Sequence, residues 1–160
     1  MLELMIASSL LTTIVTATAV VMRSASTAWQ DHQDDYTRIE QAQACVRQMV
    51  RNLRQASSVA SISAANNTSG SLSVISTSGA TYTWTRDNAT NQVNFNNGSG
   101  ASLLAENITA LSFTAYQEDG VTATTNLAQI HSIKTFVTVQ LPHDANITRT
   151  FSCWTWIRPW

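Results

Sequence analysis

No glycine occurs before Gly70, and the two prolines, Pro142 and Pro159, both lie near the C-terminus. Nothing upstream of Gly70 therefore offers the free backbone or the missing N–H that ends or kinks a helix. Charge is scarce as well, at 12% of residues and a net charge of −1. A basic field of the kind that binds nucleic acid through counterion release is absent, so no nucleic-acid partner is evident. The sequence shows no nucleophile elbow, phosphate loop or catalytic pair of the required spacing, which predicts a protein that is not an enzyme. His32, His131 and His143 lack metal-ligand spacing, and no metal or cofactor is expected. The N-terminus has neither the basic leader of a secretory signal nor a small-residue cleavage site after it, so its apolar run reads as retained.

That run, Leu2 to Met22, carries one charge, Glu3. At about 1.5 Å per residue it would form a helix roughly 30 Å long, the thickness of a bilayer's hydrocarbon core. Ser8, Ser9, Thr12, Thr13, Thr16 and Thr18 are interspersed in it. Their hydroxyls lower helix propensity and can bond back to carbonyls of the preceding turn, while small residues let helices approach closely. Two readings stand: a mediocre transmembrane helix, or a helix built to pack against copies of itself.

Past Met22 the pattern continues as an amphipathic helix. Trp29, His32, Tyr36, Ile39, Ala42, Val46, Met49 and Leu53 follow at steps of three and four, the spacing of one face, opposite a face of Asp and Arg. The segment from Ala56 to Gly70 reads as a polar linker. From Ser71 the period becomes alternating, predicting strands over 71–77, 80–86, 91–96, 108–116, 130–141 and 147–158, the fifth stopped by Pro142. Length and composition allow one head domain. The predicted fold is α+β: a long N-terminal helix over 1–56, apolar in its first half and amphipathic in its second, packed on an antiparallel head over 57–160.

The lone glutamate opening a hydrophobic helix (LELMIAS), the continuous amphipathic extension and the antiparallel sheet that follows resemble the type IV pilin and type II secretion pseudopilin superfamily. LLAENITALSFTAYQEDG, IKTFVTVQL and RTFSCWTWIRP are similar to the sheet of minor pseudopilins of the J type. The resemblance implies a structural subunit of a helical filament, assembled from the bacterial inner membrane into an extracellular or periplasmic filament. Its partners would be copies of itself or homologous pilins, the membrane before assembly, an assembly platform and a prepilin peptidase. Residues 1–22 would form the filament core, with Leu2, Leu4, Ile6, Leu10, Leu11, Ile14 and Val15 packing there. A carboxylate at a bilayer centre costs about 2.5 to 3.5 kcal/mol without a partner. The resemblance implies that Glu3 meets the N-terminal amine of a neighbouring subunit and so selects axial register. In the family this glutamate is the fifth mature residue and here it is the third, so either two residues precede Met1 or the processing point differs. Two alternatives stay open: a minor or tip subunit whose head binds a surface, DNA or a secreted substrate, and a monomeric single-pass membrane-anchored protein.

Cys45 and Cys153 are the only cysteines. In an exported head such a pair suits a disulfide, closing a long loop worth up to about 4.7 kcal/mol in the chain-entropy picture, although two small buried hydrophobes would account for them too. Glu118, Asp119 and Gly120 read as a plain turn before a calcium loop. Six Asn residues begin N-x-S/T triplets, as chance produces in a chain so rich in Ser, Thr and Asn. Trp154, Trp156 and Trp160 crowd the C-terminus as either a second core face, the preferred reading, or a subunit contact.

Overall fold

The computed structural model describes residues 2–143 and 146–157. Helix α1 spans Leu2–Leu53, unbroken as the absence of Gly and Pro requires. Eight strands follow: β1 (Ala56–Ile62), β2 (Ser71–Ser76), β3 (Thr81–Asp87), β4 (Gln92–Asn96), β5 (Ala101–Ala105), β6 (Ile108–Tyr116), β7 (Ser132–Gln140) and β8 (Thr148–Trp156). The fold is α+β, as its periodicities predict. The chain divides into two compact units, one reaching Tyr36 and the other starting at Thr37. Packing thus divides the chain inside the helix, whereas the sequence pattern divides it at 56/57.

In the first unit the helix stands by itself. Its hydroxyls turn inward along the backbone: Ser8 donates to the Met5 carbonyl at 3.0 Å, Thr13 to Ser9 at 2.8 Å, Thr16 to Thr12 at 2.7 Å and Thr18 to Ile14 at 2.8 Å. This is the back-bonding anticipated from composition.

In the second unit two antiparallel sheets share a core with the last turns of the helix. Strands β1 to β5 form a meander in chain order, and β6 to β8 form a three-stranded sheet. Ala42, Cys45, Met49 and Leu53, at steps of three and four, are buried with Leu72, Val74, Trp84, Leu111, Phe113, Ile133 and Val137. Alternation governs the inner strands: in β2 each second residue is buried, and β7 buries Ile133, Thr135, Val137 and Val139.

Two strands escape the sequence pattern. The segment read as a linker contains β1, whose register shifts between Ala56 and Ser58 and again between Val59 and Ser61. Its buried residues consequently fall three apart, not two, and the alternating signal vanishes. The connection after Asn97 contains β5, an edge strand exposed over most of its length with a shift opposite Val93 and Asn94. The single expected sheet is accordingly two.

The sheets are tied through the backbone at Gly70. Its N–H donates to the Leu111 carbonyl at 2.7 Å, and the Leu111 N–H donates to Thr68 at 2.8 Å. A Cβ at position 70 would stand 2.5 Å from the Leu111 oxygen, so only glycine fits this approach. Arg86 reinforces the junction: its Nε donates to the Ile108 carbonyl at 2.6 Å, and Nη2 donates to Asn91 Oδ1 at 2.6 Å.

Candidate assembly surface

The apolar half of α1 is exposed throughout. Leu2, Leu4, Ile6, Leu10, Leu11, Ile14 and Val15 all present their side chains to the surroundings, with Leu4 at 77% exposure. Its mean hydropathy reaches 2.0 over an eighteen-residue window of which none is buried, so the helix is long and apolar enough to cross a membrane. A hydrocarbon face this large, uncovered among the described residues, makes the segment a candidate membrane anchor.

These residues do not converge on one point. They distribute around the helix, which is what a rod embedded on all sides needs and a single docking stripe does not. Thr12, Thr16 and Val20 with Thr13, Ala17 and Val21 form two adjacent rows along it, lining a shallow open concavity. Because the threonine hydroxyls are engaged with the helix's own carbonyls, these rows offer methyl groups outward. Glu3 lies in the first turn, where a carboxylate complements the helix dipole. The N-terminal residue that would carry an amine lies outside the described residues.

Farther along, the spacing of Trp29, His32 and Tyr36 suggests one buried stripe continuing into Ala42. All three are exposed, and burial begins later, at Ala42. Helical spacing identifies residues that share a face; it does not supply the surface that covers them.

Cys45 is fully buried in the core. Burial, with the neighbouring Cys153 as a second cause, pushes its thiol pKa up to about 12. Cys153 lies on the inward face of β8 opposite Thr135. Burial raises its thiol too, countered by the Thr155 and Thr135 hydroxyls and by the positive charge of Arg54. The two thiols are unbonded in this structure, yet each stands within electrostatic reach of the other.

The acidic loop is a turn. Asp119 accepts hydrogen bonds from the Val121 and Thr122 N–H groups at 2.9 Å each and from the Thr122 hydroxyl at 2.5 Å, which holds its carboxyl below the usual range. Among the described residues no cluster of three or more His, Cys, Asp or Glu side chains is placed to hold a metal.

The tryptophans divide. Trp84 is core, its ring tilted against that of Phe95 with centroids 5.4 Å apart, whereas Trp154 and Trp156 are 44% and 55% exposed. For those two the preferred core reading does not hold, because they occupy the outward positions of β8. Trp160 and Arg158 lie outside the described residues. The exposed pair left a sequence signal in the alternation of ITRTFSCWTWIR, which sets both on the face opposite Phe151, Cys153 and Thr155.

Comparison with known proteins adds no name: no protein-family model matches the chain, and no curated protein matches it.

Proposed function

We propose that this chain is a structural subunit of a type IV pilus-like helical filament, assembled from a membrane pool through its N-terminal helix. The observation that carries the reading is one continuous helix in two conditions: wholly exposed hydrocarbon up to Val21 and Met22, then a buried stripe from Ala42 to Leu53 inside a folded head. The exposed half needs an apolar medium. Lipid supplies it before assembly, and the helices of neighbouring copies supply it afterwards.

Glu3 decides between a plain anchor and an assembling helix. Near the helix start it can reach the headgroups of a bilayer, but inside a filament core it needs a cation. The amine of a neighbouring subunit is such a cation, and pairing with it fixes how far one helix slides along the next. Assembly platform and processing peptidase enter through the resemblance to the pilin superfamily alone.

The test is electron microscopy of filaments sheared from cells expressing the chain, with its abundance measured in filament and membrane fractions. Wild-type chain is expected in the filaments, and Glu3→Leu is expected to remain in the membrane with its head folded. A wild-type chain found only as a membrane monomer overturns the proposal in favour of a single-pass anchor. Presence at trace abundance assigns it a minor position in a filament built mainly by another subunit. Normal incorporation of Glu3→Leu removes the register role.

A further inference from the structure

The solvent face of the β6–β7–β8 sheet is the part of the head that its core does not explain. Alternation places Tyr116, Ser132, Lys134, Phe136, Trp154 and Trp156 on the outward positions of the three strands. Tyr116 and Trp154 stack face to face, with centroids 5.0 Å apart and planes inclined by 27°. Lys134 is the only lysine in the chain. Its ammonium stands 5.0 Å from the Phe136 ring centre and 5.8 Å from that of Trp154, directly across the ladder from Trp154.

Ser132 is the second observation. It sits in the central strand between Tyr116 and Trp156 and is fully buried although it points to the outer face. Among the described residues its hydroxyl has no hydrogen-bond partner. A buried hydroxyl without a partner is unfavourable by about 1–3 kcal/mol unless something satisfies it. Here it lies in the floor of an exposed aromatic cluster.

We propose that this face binds an acidic polysaccharide strand. Trp154 and Trp156 are exposed, beside the half-buried rings of Tyr116 and Phe136, and the four are arranged along strands, an open surface that suits an extended polymer better than a small molecule. Aromatic faces are electron-rich and attract polarised C–H groups, which a pyranose presents on its flat faces. The rim of such a ring is hydroxyl, matched here by Ser112, Thr114 and Ser152 on the outward positions beside the aromatics. Lys134 supplies one positive charge, and no Asp or Glu occupies an outward position of the three strands, so a uronate carboxylate finds a complementary field. Asp119, in the loop that follows β6, is already engaged by its own turn. A nucleic-acid strand fits less well, because one cation cannot release the counterions that drive such binding.

The test is calorimetric titration of the full chain in a detergent without a sugar head group, so that micelles do not compete. Short oligogalacturonate is expected to bind saturably, about tenfold more tightly than a neutral malto-oligosaccharide or oligothymidylate of equal length. Lys134→Gln is expected to bring the acidic oligomer down to the neutral one's affinity, and Trp154→Ala to abolish both. Trp154→Phe keeps a ring in place, and near-ultraviolet circular dichroism confirms the fold of each variant. The proposal is overturned by absence of saturable binding, by equal affinity for the neutral oligomer, or by indifference to both Lys134→Gln and Trp154→Ala, whereas Trp154→Phe is expected to retain most of the binding. Tighter binding of oligothymidylate overturns it too and assigns the face to nucleic acid. The measurement uses unassembled chain, so its result does not depend on filament formation.

Discussion

Residues 2–36 and residues 37–53 belong to one helix, and only the second stretch is held by its own chain. The first is mostly Leu, Ile, Val, Ala, Ser and Thr up to Met22 and polar beyond it, with no buried residue; the second buries Ala42, Cys45, Met49 and Leu53. The difference teaches that a helix's stability within a protomer is decided by the surface that meets it. Composition alone would rank the first stretch as the more hydrophobic, yet it gains nothing from the head's core.

Leu53→Ala should break the contrast most strongly. It removes a fully buried side chain from the helix–sheet core and should destabilise the head by about 2–5 kcal/mol in denaturant titration. Alkaline pH probes the same core through Cys45. A thiol whose pKa rises from 9.0 to about 12 on folding keeps its proton in the native state while the unfolded chain has lost it. Its contribution is fully present below pH 9 and is lost as pH rises from 9 towards 12, amounting to a few kcal/mol at the upper end. Cys45→Ala should flatten this part of the stability–pH curve. At the other end of the scale, Leu11→Ala should shift the unfolding of the detergent-solubilised protomer by less than about 0.5 kcal/mol, since nothing in the protomer covers that side chain. A larger effect would mean that the exposed half is packed after all.

The sheets show what periodicity can and cannot reveal. β2, β3, β4, β6, β7 and β8 lie where alternation predicts them, within a residue or two at most ends, because each sets one side against a core. The bulges of β1 put Ala56 and Val59 three apart, and β5 has little buried surface to pattern, so both read as connections. The division into two sheets was equally invisible, as was the junction of Gly70 with Leu111 that ties them, because strand pairing is settled by contacts across a long sequence separation.

The assembly surface was more legible than the aromatic face. An uninterrupted apolar run with one carboxylate announces itself, and Leu2, Leu4, Ile6, Leu10, Leu11, Ile14 and Val15 are exposed on α1, which leaves their packing role a proposal. Trp29 and Tyr36 share the spacing of the buried turns yet are exposed, because spacing shows which residues share a face and not whether that face is covered. Trp154 and Trp156 were misjudged because aromatic content favours a core reading until the register shows which side they occupy. The burial of Ser132 on an outward position could not have been foreseen, since alternation alone would expose it and its strand partners, Tyr116 and Trp156, are fixed only by register.

The inward-turned hydroxyls of the first helical turns have a consequence for how the segment meets its solvents. A threonine whose Oγ1 is bonded to a carbonyl one turn back shows the outside a methyl group, much as valine would. The helix therefore wears an apolar skin more continuous than its formula suggests, and lipid chains and protein side chains wet that skin alike. Glu3 apart, exchanging one such medium for the other would require no polar group to be stripped or re-covered and would leave the hydroxyl–carbonyl hydrogen bonds of this segment unchanged.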